Sequence, residues 1–322
     1  MSTVALVTGE SRTENIINVL ELVKDEINLE ERREILIKPN LTAIDNKYAN
    51  TDVETVAAII EFLDAYDVNI TVGEGSGSAF FSGTTTWDVF RRYGYMELVE
   101  RYPNVSLMDF DESGGERVRI PVETIPGKDV INVLKPKWDY IISVAIPKTH
   151  DYAIVTMGMK NMMGMVAAPD RIKIHGLPSQ SGIVSAWRYI PERMRHMITS
   201  LFRDRGVYRQ NVKQIHRNLC SLFRYVCPDL VVIDGFFGME GDGPINGKAV
   251  KTKIAIASTD PVKADALCAA IMGFDPHEIG YLVYSSQIGL GSLDYQDGFI
   301  GDMVQHHYIP HRDYNIQKDW QT

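Results

Sequence analysis

At 322 residues, with 45% hydrophobic and 23% charged side chains, the chain has material for a sizeable packed core, which excludes disorder as its organising theme. A net charge of −9 argues against general affinity for nucleic acid. No run approaches the ~18 apolar residues of a membrane span, so no membrane partner is expected.

In chain order, Val4–Thr8 reads as a first strand, and Ile16, Val19, Leu20, Val23 and Ile27 then recur at helical spacing. Ile35–Ile37 is a second strand ending at Lys38-Pro-Asn40. Thr51-Asp-Val-Glu54 has the spacing of a capping box and opens a helix with Val56, Ile59, Ile60 and Leu63 on its core face. Val68–Val72 is a third strand running into Gly73-Glu-Gly-Ser-Gly-Ser78, followed by an aromatic-rich helix over about 85–101. Val105–Met108, a hairpin arm at Val118–Val122 and the apolar run Tyr140–Ile146 come next, the last ending at Pro147-Lys-Thr-His150. Leu230–Ile233 and Ile254–Ala257 are further strands, and Asp260-Pro261 starts a helix through Met272, with Asp as N-cap and Pro at N1. Apolar strands joined by helices predict an α/β fold, a mostly parallel sheet flanked by helices.

Charge is uneven. Residues 188–224 carry +7 and everything else −16. Two amphipathic stripes lie there, Met194, Met197, Ile198, Leu201 and Phe202, then Val212, Ile215, Leu219, Leu222, Phe223 and Val226. They predict an inserted basic helical hairpin. Its plain role is a docked pair with a solvated charged face. The sharper ones are a cap over an anionic substrate, a homo-oligomer contact, or a surface for an acidic protein partner around Arg203, Arg205 and Arg209. The organisation expected is an α/β body in two parts (1–184 and 228–301), the insert (185–227) and a polar C-terminal tail (302–322). Cys220, Cys227 and Cys268 form no CxxC pair, so neither a disulfide framework nor an intrinsic iron–sulfur cluster is expected. The N-terminal residues lack a basic region followed by an apolar stretch, which predicts a cytoplasmic protein.

Ligands of open α/β sheets sit beyond the carboxyl ends of strands, so polar residues placed there are the first candidates. Lys38 and Lys148 are positioned to neutralise substrate charge, and Asn40 and Asn161 to bind a carboxylate or carbonyl. Gly75, Ser76 and Gly77 form a turn that either offers N–H groups to an anion or is simply tight; it has neither P-loop nor GxGxxG spacing. The strongest constellation is His150-x9-Lys160-x14-His175, in which Gly158 and Gly164 punctuate the stretch around Lys160. Histidines move protons or ligate metals near neutral pH, and a lysine serves as acid, base, nucleophile or oxyanion stabiliser. His150, Lys160 and His175 are therefore the candidate catalytic residues. His150, His175, Glu240 and Asp242 are candidate ligands for a divalent metal, with hard oxygens in a glycine-rich loop. His306-His-x-x-x-His311 has ligand types at plausible spacing but sits in the polar tail. Asp265, inside its helix, needs no function.

Six ordered motifs, Ile37-Lys-Pro-Asn-Leu41, Val72-Gly-Glu-Gly-Ser-Gly77, Pro147-Lys-Thr-His150, Gly158-Met-Lys-Asn-Met-Met-Gly164, Asp234 with Met239-Glu-Gly-Asp-Gly-Pro244, and Ser258–Asp265, resemble the family catalogued as domain of unknown function 362, over roughly residues 30 to 301. The resemblance implies an α/β fold. Many members carry a ferredoxin-like module with clustered cysteines, which this chain lacks. An electron-transfer role would thus need a separate iron–sulfur partner, the chain acting as a non-catalytic redox or cofactor accessory. The order of His150, Lys160 and His175 is also similar to part of the nickel-pincer lactate racemases, which implies a lysine-borne nickel-pincer nucleotide and a racemase or epimerase. The leading expectation is an enzyme, of isomerase or oxidoreductase type, moving a proton or hydride on a small anionic molecule bearing carboxylate or phosphate.

Overall fold

A computed structural model describes residues 2–78, 83–178 and 204–321. The first stripe of the basic pair, with Arg188, Arg193, Arg195 and Arg203, lies outside the described residues. The strands are β1 (Val4–Thr8), β2 (Glu34–Lys38), β3 (Asn69–Glu74), β4 (Val105–Asp109), β5 (Arg117–Glu123), β6 (Lys128–Leu134), β7 (Tyr140–Ala145), β8 (Lys148–His150), β9 (Ile154–Thr156), β10 (Leu230–Glu240), β11 (Lys248–Ser258) and β12 (Phe299–Ile300). The main sheet runs β12-β1-β11-β10-β7-β2-β3-β4, with β8 added beside β10 and β9 beside β8. Along that path β11 is antiparallel to both neighbours, and every other pairing is parallel. This is the α/β fold predicted, mixed rather than uniform because β10 and β11 form one long hairpin.

Both faces are covered, and the alternation of side chains along each strand shows how. Ile35, Ile37, Ile142, Val144 and Val232 face helices Arg12–Val23 and Val53–Leu63. Leu36, Ile141, Val231 and Ile233 face the opposite layer, built from helices Pro261–Met272 and Arg205–Phe223. That second helix carries the predicted stripe of Val212, Ile215, Leu219, Leu222 and Phe223, all buried, so the described half of the basic element docks as an ordinary amphipath.

Two local expectations are corrected. The helix at 53–63 is capped by Asp52, whose side chain accepts from the Glu54 N–H. Thr51 instead donates its hydroxyl to the Val144 carbonyl and accepts from the Asn40 N–H. The aromatic helix breaks into Thr86–Arg92 and Met96–Arg101, because Gly94 takes φ +79, a left-handed turn that an L residue resists. The hairpin arm at 118–122 is the core of the β5–β6 pair. Residues 308–321, a polar tail by composition, pack inward: Tyr308, His311, Gln317 and Trp320 are buried. Among the described residues no helix is long and apolar enough to cross a membrane.

Candidate active site around Lys160

β2, β3 and β7 run parallel, so their carboxyl ends meet at one edge and bring Lys38, Glu74 and the segment after β7 together. The Lys38 ammonium is wholly buried and donates to Glu74 Oε2 at 2.7 Å, Asn161 Oδ1 at 3.0 Å and the Pro39 carbonyl at 3.2 Å. Burial pushes Lys38 down and Glu74 up, while their contact opposes both shifts. Lys148 is equally enclosed and donates to Asn40 Oδ1 at 2.6 Å, the Ala49 carbonyl at 2.7 Å and Thr42 Oγ1 at 2.9 Å. An ammonium has three donors. Those of Lys38 and Lys148 are spent inside the protein.

The same holds for the other expected ligand-binding groups. Asn161 accepts from Lys38 and from Asn40 Nδ2, and donates to the Lys38 carbonyl and Ser143 Oγ. The Gly75, Ser76, Gly77 and Ser78 N–H groups go to Glu74 Oε1, Thr86 Oγ1, the Leu41 carbonyl and Ser76 Oγ. The Ser76 carbonyl is held by Arg171 at 2.7 Å. A Cβ on Gly75 would lie 2.1 Å from that guanidinium, so the glycine is needed for close packing of the turn.

Lys160 stands apart. Five lysines are buried among the described residues, and Lys38, Lys148, Lys173 and Lys263 each donate to oxygen. Lys160, on the four-residue helix Gly158–Asn161, has within the described residues only the Met163 thioether, 3.2 Å away. Burial, opposed in part by the charge of Asp151, brings its pKa to about 8. Its backbone is fixed on both sides. Asp265, reaching in from helix Pro261–Met272, accepts from the Gly158 N–H at 2.8 Å and the Met159 N–H at 3.1 Å. Ser143 Oγ donates to the Gly158 carbonyl at 2.7 Å, and Asn161 is locked as above. Gly158 leaves the space: a Cβ there would lie 2.2 Å from Val231 Cγ1. Burial raises Asp265 to about 7 against these two N–H bonds.

His150 ends β8 at the mouth of a tight hairpin whose return residue, the buried and β-branched Ile154, is held at φ +67, a conformation that stores strain. The imidazole Nδ1 accepts from the Tyr152 N–H at 3.0 Å and the Ala153 N–H at 3.2 Å. Asp151 Oδ1 lies 3.3 Å from the same nitrogen without forming a hydrogen bond, and the two closer N–H donors on Nδ1 place the ring proton on Nε2. Burial, then the Lys160 charge, holds His150 well below the ordinary histidine range, so the ring is neutral and Nε2–H is a hydrogen-bond donor. His175 stacks on it, with ring centroids 5.8 Å apart and 13° between planes, and its Nδ1 lies 3.3 Å from the Arg171 carbonyl. The structure thus brings His150, Lys160 and His175 into one neighbourhood.

The candidate metal ligands do not gather. Glu240 accepts from the Ile309 N–H, and Asp242 pairs with Arg312. Among the described residues no group of three or more His, Cys, Asp or Glu side chains is arranged to hold a metal ion. His311 is buried with Asp242 and Asp313 each 3.8 Å from its ring nitrogens. Sequence reasoning missed Asp265, Tyr208 and Gln317. Gln317 donates to the His150 carbonyl at 2.9 Å, Tyr208 donates to the Asp151 carbonyl, and Asn211 donates to the His175 carbonyl at 2.9 Å. A signal for Asp265 existed, since it is the lone acid in the otherwise apolar helical run Val262–Met272 apart from Lys263.

The family model described as domain of unknown function DUF362 matches residues 35–270, most of the chain. The chain belongs to that family. A thylakoid-associated protein of Synechocystis sp. is 23% identical over 269 residues, covering 80% of this chain and 68% of that protein. The solved lactate racemase apoprotein from Thermoanaerobacterium thermosaccharolyticum aligns with 84% of this chain at 15% identity and a TM-score of 0.47. The chain spans 57% of that structure's length.

Proposed function

We propose that this DUF362 family member is an enzyme that moves a proton or hydride on a small carboxylate- or phosphate-bearing molecule at Lys160, His150 and His175. The observation that carries the reading is the contrast among the buried lysines: Lys160 has no oxygen acceptor among the described residues while the other four have them. An amine so placed is held for chemistry with a guest molecule, because a purely structural buried ammonium needs acceptors. With a pKa of about 8, it is available as the neutral base or nucleophile near neutral pH. His150 supplies a fixed neutral N–H donor to an oxygen on which charge develops, the role that a lowered pKa suits.

In this reading, Lys38 and Lys148 act through the framework and through local positive potential. A lysine-borne nickel-pincer group would find its point of attachment in Lys160. It would supply a hydride acceptor there, but His150 presents an N–H where a metal requires a lone pair, and no set of metal ligands is gathered among the described residues.

The test is solvent deuterium incorporation into a panel of 2-hydroxy acids, 2-oxo acids and their phosphorylated analogues, followed by NMR. Exchange that Lys160→Met and His150→Gln each abolish supports the reading. Undiminished exchange in both variants, or an unexchanged panel together with an unreactive Lys160 amine, removes it.

A further inference from the structure

The substrate class can be narrowed from what surrounds the two groups. Resting on the reading of Lys160 as a reactive amine, we propose that it condenses with the carbonyl carbon of a small anionic aldehyde or ketone, whose oxygen is held by the His150 Nε2–H.

Three features point there. First, the Lys160 amine has only a thioether beside it among the described residues, so its lone pair, once the proton leaves, is uncommitted to any acceptor geometry. Second, the two backbone N–H groups on Nδ1 forbid His150 from serving as a base through that nitrogen and leave Nε2–H to donate. No described residue accepts from Nε2. A neutral imidazole donor near enough to feel the Lys160 charge suits a carbonyl oxygen, which needs polarising but does not need a full proton. Third, burial and then the charges of Lys160 and Lys38 hold the Lys148 amine well below the ordinary lysine range, against the opposing charge of Glu74, so cations are crowded at this point. An anionic carbonyl compound relieves that crowding where a neutral one does not.

The step balances without a redox partner. The amine lone pair forms the N–C bond as the C=O pair moves to oxygen, and a proton passes from nitrogen to that oxygen. The hydroxyl then leaves with a solvent proton as water, and the iminium N–H returns one. The net change is amine plus carbonyl to imine plus water.

The experiment treats the full-length protein with glyoxylate or with acetaldehyde in the presence of cyanoborohydride, then reads intact mass and peptide maps. With the Lys160 pKa near 8 rather than 10.5, the neutral fraction at pH 7 is about 300 times that of an ordinary lysine. Expected is a single carboxymethyl adduct at Lys160, ahead of every surface lysine, with glyoxylate favoured over acetaldehyde and no early adduct in Lys160→Arg. His150→Gln should slow trapping roughly 100-fold while arylation of Lys160 by fluorodinitrobenzene continues, as expected for loss of a donor to a developing oxyanion. If Lys160 is arylated rapidly but trapped by glyoxylate no faster than surface lysines, the imine proposal is overturned and the reactive-amine reading stands. If Lys160 is inert to both reagents, both are overturned. Trapping unchanged in His150→Gln overturns the assignment of His150.

Discussion

Replacing Asp265 by asparagine tests how the Lys160 helix is held. The carboxylate makes two hydrogen bonds to consecutive N–H groups, Gly158 and Met159, and receives a weaker one from the Tyr281 hydroxyl at 3.3 Å. Against these stands complete burial, which raises its pKa from 3.8 to about 7. A carboxyl whose folded-state pKa is raised binds its proton more tightly folded than unfolded. Its favourable contribution is therefore fully present below pH 4 and is lost as pH climbs through 7. One decade of pKa is about 1.4 kcal/mol, so wild-type stability should fall relative to Asp265→Asn by about 4 kcal/mol between pH 4 and pH 7. Urea unfolding of both proteins across that interval measures the difference directly. In Asp265→Asn one of the two N–H groups faces an amide donor instead of an acceptor, so the helix start loosens, and arylation of Lys160 should lose its pKa near 8. A stability difference that is flat or rises with pH would show that the N–H bonds outweigh burial. A Lys160 titration unchanged in the variant would refute the positioning role.

The same linkage acts with opposite sign on Lys160. Its lowered pKa means the unfolded chain binds the extra proton between pH 8 and 10.5, so wild-type stability relative to Lys160→Met should rise by about 3 kcal/mol over that range, read by the same unfolding measurement. Gly164→Ala should destabilise by about 3 kcal/mol or more, since its Cβ would sit 1.8 Å from Glu74 Oε1 and 2.7 Å from Lys38 Nζ and so force the buried pair apart. Glu74→Gln leaves the Lys38 charge buried without its counter-ion and should cost about 3–5 kcal/mol in denaturant melts, with much of the loss recovered in Glu74→Gln/Lys38→Met. Glu74→Gln and its double variant touch the Lys160 helix through the Lys38–Asn161 bond, so a stable fraction of either that reacts at Lys160 as wild type does would locate the ion pair in the framework rather than in ligand binding.

What could be read from the sequence, and what could not, divides along a physical line. Apolar runs such as Ile35–Ile37 and Tyr140–Ile146 specify buried strands because hydrophobic burial is local in pattern, so the sheet and its covering helices were legible; of the three candidate catalytic residues, His150 and His175 stack on one another. Which of these lysines spend their donors on the protein was not legible, because Lys38, Lys148 and Lys160 all lie at or near strand ends and differ in partners lying up to 123 residues away in sequence. The same separation hid Asp265, which accepts from Gly158 across 107 residues, and Gln317, which reaches the His150 carbonyl across 167. The glycines tell the intermediate case. Gly75 and Gly164 each mark a close approach, and what approaches them is Arg171 and the Lys38–Glu74 pair. A glycine records that something comes close, and only the folded chain says whether that is a guest or the protein itself. By that criterion the turn after β3 is framework, and the amine with a thioether for its described neighbour is where the proposed guest molecule would bind.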